Sequence, residues 1–159
     1  MGKYFGTDGF RGEANVDLTA MHAFKVGRFL GWYYGRFHKC SVAIGKDTRR
    51  SSYMFEDALA AGLTSTGADV YLLHVTTTPS VSYIVKTENF DCGIMISASH
   101  NPFYDNGIKL INGKGEKMEQ EVIDEVEKYI DADFDTVPYV TGEKIGRTVD
   151  YFAGRNRYM

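Results

Sequence analysis

Three short runs, SVAIGKD, DVYLLHV and DCGIMIS, are apolar almost without a break, and stretches of helical period separate them. Strands without polar alternation are covered on both faces, the usual condition of a parallel sheet layered between helices. The pattern predicts an α/β class and a three-layer α/β/α domain built on a mostly parallel, mixed sheet. In such sheets ligands sit beyond the carboxyl ends of the strands, where the polar stretches KDTRR and SASHNP fall.

The remaining elements follow from punctuation. After a short extended start, LTAMHAFKVGRFLGWYYGRF reads as a helix with Thr19 at its N-cap and apolar positions at Met21, Phe24, Phe29, Trp32 and Tyr33. SSYMFEDALAAGLTSTG reads as a second helix, capped by serine and ended by Gly67; Pro79 opens a third, continued by SVSYIVKTEN. GIKLI is a fourth strand, NGKG a turn, and EQEVIDEVEKYI an amphipathic helix. The tail GEKIGRTVDYFAGRNRYM has a helix-like pattern with no stop signal and looks cut rather than finished.

At 159 residues the chain is the size of one domain, large enough for a real core yet short for an enzyme that closes domains around a substrate. The net charge of −3 is spread along the chain, which argues against a nucleic-acid partner. No apolar run reaches the roughly 20 residues of a membrane span, so the expected location is the cytoplasm, away from membranes. Cys40 and Cys92 form no C-x-x-C pair and read as buried apolar thiols. His22, His38 and His74 have no metal-ligand spacing.

GKDT is not a Walker motif, because Cys40 stands where the leading glycine belongs, and the glycines of GTDGFRG do not match G-x-G-x-x-G. From residue types alone, GTDGFRG is a glycine turn with a solvated arginine. Lys46, Arg49 and Arg50 at a strand-to-helix junction either hold a phosphate or form a solvated charge cluster. In SASHNP, the hydroxyls of Ser97 and Ser99 either satisfy loop backbone groups or carry a phosphoryl group, for which His100 and Lys109 could supply part of the support.

Taken in order, FGTDGFRG, GKDTRRSS and ISASHNPFYDNGIK resemble the N-terminal domain of the α-D-phosphohexomutase family, and the resemblance covers essentially the whole chain. It implies that Ser99, not Ser97, is carried as phosphoserine, giving its phosphate to one sugar hydroxyl and later recovering another. It also implies Lys109 as general acid/base, Arg11 as support for the reacting phosphoryl group, and His100 as the neighbour of the nucleophile. Arg49, Arg50 and Asn101 become phosphate-binding candidates. An Mg2+ ion would be held by Ser99 through its phosphate, with its other ligands coming from a second domain. Within the family, GTDG and SASHNP resemble the branch acting on glucosamine phosphates. Domain 1 of a mannose- or glucose-phosphate mutase, a non-catalytic sugar-phosphate binding module and a purely structural domain remain alternatives. The family has four domains, and this sequence carries the motifs of the first: residues 1–145 as the phosphoserine-bearing domain and 146–159 as the start of a linker or helix. The implied partners are a hexosamine or hexose phosphate and domains 2–4, with self-association or domain exchange of the lone domain also expected. The domain alone is expected to lack turnover.

Overall fold

A computed structural model describes residues 3–152. The apolar runs form β3 (Ser41–Lys46), β4 (Asp69–Val75) and β5 (Cys92–Ile96), within a residue or two of their expected bounds. The glycine-rich start folds as a hairpin of β1 (Phe5–Gly6) and β2 (Gly9–Glu13), and β6 spans Asp105–Asn112. In the tail, Thr148–Asp150 is a strand, β7, where a helical pattern was expected. Its amides pair beside β4, and this tertiary partner outweighs a weak local period. The rest of that pattern, residues 153–159, lies outside the described residues.

The strand order is β1-β2-β6-β5-β3-β4-β7. Pairing is parallel from β5 through β3 and β4 to β7, and antiparallel among β1, β2, β6 and β5. The sheet is therefore mixed, and at its antiparallel edge β1 is too short and β2 too glycine-rich to show an apolar run.

Helix α1 (Ala20–Tyr34) starts as expected: the Thr19 hydroxyl accepts a hydrogen bond from the His22 N–H, and the His22 ring nitrogen accepts one from the Thr19 N–H. Its buried face matches expectation at Phe29 but otherwise differs. Ala23, Val26, Gly27, Leu30 and Gly31 face inward, whereas Met21 is exposed and Trp32 partly so. Small residues mark that face because α1 crosses closely over α2 (Arg50–Thr64). Arg49 occupies the N-cap of α2 without a side-chain capping bond, so the expected serine cap does not form. Helix α3 (Thr78–Thr87) is capped by Thr77, with Pro79 in its first turn, and α4 spans Gln120–Asp131. Helices α1, α2 and α4 cover one face of the sheet over a core that includes Ile44, Val70, Ile94, Ile96 and Ile108. On the other face α3 is the one described helix, packing with Tyr151 over Ala43, Leu73, Met95 and Ile111. On that side no described helix packs over β1 and β2. No described helix is long and apolar enough to cross a membrane.

Candidate functional site

Where β5 ends, the chain turns sharply. The Asn101 N–H bonds the Ala98 carbonyl at 3.0 Å, and the Asp105 N–H bonds the Pro102 carbonyl at 3.0 Å to launch β6. Between them Ser99 sits exposed at the tip with φ 53°, a left-handed backbone uncommon outside glycine, asparagine and aspartate. Ser97 has the supporting role: its Oγ accepts the Ser99 N–H at 3.1 Å.

Arg11 comes to this loop from β2. Its Nη2 lies 3.4 Å from Ser99 Oγ, and its Nη1 lies 3.3 Å from Asn101 Oδ1 and 3.4 Å from the Ala98 carbonyl. The expectation of a solvated arginine is overturned, because the hairpin places Arg11 opposite Gly107 of β6. A Cβ on Gly107 would stand 2.9 Å from Arg11 Cγ and 2.8 Å from the Ser97 carbonyl, so the bare glycine is what lets the arginine lie across the sheet. Lys109, two residues further along β6, points to the same face. It borders a cavity of about 210 Å³ with Thr7, Thr78 and Ser82, and its Nζ has no hydrogen-bond or ion-pair partner among the described residues. His100 is exposed and likewise unpartnered among the described residues. Ser99, Arg11 and Asn101 thus meet at the loop after β5, whereas Lys109 shares the Arg11 face of β6 but borders the cavity beside Thr78 and Ser82 of α3.

The cationic stretch after β3 divides three ways. Lys46 is 2% exposed and paired with Glu56 at 2.9 Å beneath the Tyr53 ring, which removes it as a phosphate ligand. Arg49 turns to the loop, but to its main chain: Nη2 donates to the carbonyls of Ser99 at 3.1 Å and Asn101 at 2.8 Å, while Nη1 pairs with Asp47. Arg50 is exposed and lines a separate hollow with Asn15, Met54, Phe103 and Tyr104. The Asn101 side chain is itself engaged, accepting from Arg11 and donating to Asp105 Oδ2 at 3.3 Å.

Two residues not singled out from the sequence organise these contacts. Asp47 Oδ1 accepts from the Arg49 N–H at 3.1 Å and the Ser52 hydroxyl at 2.6 Å. Asn106 is fully buried, donating to Ser51 and Ser52 at 2.9 Å and accepting the Gly107 N–H at 2.8 Å. The one available signal was the DN pair inside an otherwise apolar strand context.

Chemically, an exposed hydroxyl with a guanidinium N–H beside it can carry an anionic group whose charge the arginine offsets. Its own chain does not complete a metal site. Among the described residues no three His, Cys, Asp or Glu side chains gather as ligands, and both oxygens of Asp47 are occupied. One serine oxygen falls far short of the octahedral shell Mg2+ requires, so no step is routed through the ion here.

Over residues 2–136 the chain matches the family described as phosphoglucomutase/phosphomannomutase, alpha/beta/alpha domain I. It is 74% identical to the phosphoglucosamine mutase of Lachnospira eligens and 72% identical to that of Lachnoclostridium phytofermentans. Both comparisons cover 100% of this chain but 36% of the relative, so the chain spans about a third of the length of these curated proteins. A crystal structure of a phosphoglucomutase/phosphomannomutase family protein from Burkholderia thailandensis superposes over 98% of the chain with a TM-score of 0.76 at 24% identity, a likeness of fold.

Proposed function

Because the chain belongs to the phosphoglucomutase/phosphomannomutase family as its alpha/beta/alpha domain I, we propose that it is the phosphoserine-bearing unit of a phosphoglucosamine mutase, interconverting glucosamine 6-phosphate and glucosamine 1-phosphate. The placement of the Arg11 guanidinium 3.4 Å from the exposed Ser99 hydroxyl carries this reading. The two relatives of 72% and 74% identity favour glucosamine phosphates over mannose or glucose phosphates.

In the proposed cycle, the 1-hydroxyl of glucosamine 6-phosphate attacks the phosphorus of phosphoserine 99. The P–Oγ bond breaks as the new P–O bond forms, and the hydroxyl proton passes to the Lys109 side chain acting as its free amine. The product is the 1,6-bisphosphate, with Ser99 Oγ released as an oxyanion beside Arg11. After the sugar turns over, Ser99 Oγ attacks the 6-phosphate, the 6-oxygen leaves with a proton returned by Lys109, and glucosamine 1-phosphate departs. Such transfer depends chiefly on positioning and on neutralising charge, and phosphoserine brings about −1.5 to −2 charge at pH 7. Arg11 offsets part of it, with His100 and Asn101 at the rim and Arg50 available to an incoming phosphate from the side.

Family membership implies metal use, and Mg2+ bound through the Ser99 phosphate, with its other ligands from outside these 159 residues, would neutralise the rest. Residues 1–145 are the proposed catalytic unit, with 146–159 leading onward, a cytoplasmic location and the remaining domains of the same enzyme as partners. Intact mass and peptide mapping before and after phosphatase treatment test the carrier assignment. One phosphate on Ser99 is expected after exposure to active enzyme and hexosamine bisphosphate. Phosphate on Ser97, or phosphorylation surviving Ser99→Ala, would remove it.

A further inference from the structure

We propose that Asp47 and Arg49 are positioning residues that set the Ser99 loop by gripping its main chain, a role that rests on Ser99 being the phosphoryl carrier. The guanidinium spans two carbonyls on either side of His100, at 3.1 Å to Ser99 and 2.8 Å to Asn101, while its other terminal nitrogen is tied to Asp47. Asp47 is in turn fixed to the strand that launches the loop, because its N–H donates to the Ile96 carbonyl at 3.0 Å. The Ser52 hydroxyl joins Asp47 to Asn106, whose side chain holds the amide of Gly107 at the loop's far end. Both ends of the loop and its tip are thereby referred to one buried cluster.

The chemistry separates Arg49 from Arg11. A planar fork can serve a carboxylate and two carbonyls together, which a lysine ammonium on a flexible stem cannot do with the same geometry. Arg11 approaches the hydroxyl that reacts, whereas Arg49 holds atoms that remain unchanged throughout the cycle. The left-handed backbone at Ser99 is a conformation that persists when its surroundings over-determine it, and the carbonyl of that residue is one of the two atoms held. Arg49 therefore acts on geometry, and its loss displaces the nucleophile without removing a phosphate contact.

The test uses the 159-residue chain labelled with ¹³C and ¹⁵N, its Arg49→Ala, Arg49→Lys and Asp47→Asn variants, and inorganic phosphate as probe. In Arg49→Ala the carbonyl ¹³C resonances of Ser99 and Asn101 should move upfield while those of Val42, Ile94 and Leu110 in the core stay. Asp47→Asn should move the same two carbonyls by less. Arg49→Lys should keep the charge yet fail to restore them, and the phosphate-induced shift of the Ser99 amide should fall several-fold in all three. Unmoved carbonyl resonances in folded Arg49→Ala, or in Arg49→Lys if the alanine variant does not fold, overturn the proposal. Full restoration by lysine overturns it too, since Arg49 would then be a point charge. A wild-type Ser99 amide that ignores phosphate counts against the carrier reading instead, while the carbonyl shifts still decide the grip.

Discussion

Gly107 shows how much of the site depends on a side chain that is missing. Gly107→Ala places a methyl group within 3 Å of both Arg11 Cγ and the Ser97 carbonyl. The arginine must swing away, at a cost of roughly 1–3 kcal/mol for overpacking. Urea unfolding should register that loss, and the phosphate response of the Ser99 amide should fall with it; an unchanged response would mean that Arg11 reaches the loop by another path. Position 99 makes a less intuitive prediction. Threonine is the closest chemical substitute for serine, but a β-branched residue at φ 53° is a genuine outlier, whereas aspartate tolerates it. Ser99→Thr should therefore unfold at lower urea than Ser99→Asp, by about 1 kcal/mol; the reverse order would mean that the loop relaxes freely. Ser99, Arg11 and Lys109 could be named as candidates from the sequence because their motifs occur in order. Lys46 and Asp47 were not: a charge cluster in sequence carries no sign of which cation will be buried with Glu56 and which carboxylate will be the anchor.

At the scale of elements, close approach between α1 and α2 is the feature that apolar periodicity could not reveal. A Cβ at Gly62 would fall 2.2 Å from the Phe24 carbonyl and 2.9 Å from the Arg28 amide nitrogen, with Gly27 facing it. Gly62→Ala should push the helices apart and cost at least about 1–3 kcal/mol by chemical denaturation, with no compensating gain from helix propensity visible. Beside that crossing the Arg28 side chain, fully buried, donates to Asp135 at 2.8 Å, to Ser65 at 3.1 Å and to the Val137 carbonyl, with the Tyr139 ring 3.6 Å away. It ties the segment after α4 to the back of α1. Arg28→Ala should cost roughly 3 kcal/mol, toward the lower end for a broken buried pair because Asp135 remains partly solvated. Faster amide exchange in residues 133–139 should accompany it, and unchanged exchange there would separate the arginine from the segment. The central strands were readable because burial on both faces demands continuous apolar residues. Hairpin β1–β2 and strand β7 were not, because pairing across sequence separation, not local composition, makes them strands.

For the whole molecule, the two thiols turn burial into a pH dependence. Burial pushes Cys40 and Cys92 well above the ordinary thiol value of 9.0. With the folded value raised, their contribution is fully present below pH 9 and is lost as the unfolded chain, but not the folded one, ionises. Stability should decline above pH 9 by up to roughly 1.4 kcal/mol per pH unit per thiol. Urea titrations at successive pH values check this, and the slope should flatten in a Cys40→Ala, Cys92→Ala variant; an equal slope in both proteins would assign the alkaline loss to other groups. The purified chain should also show no conversion of glucosamine 6-phosphate, since its described residues gather no metal ligands; measurable turnover would contradict the proposed division of labour. The sheet itself is committed unevenly. Its parallel half is locked between helix layers, while one side of β1 and β2 bears no described helix. A residue changed on that bare side answers to what is bound and hardly at all to the core, so such a scaffold can drift toward new ligands without renegotiating how it folds.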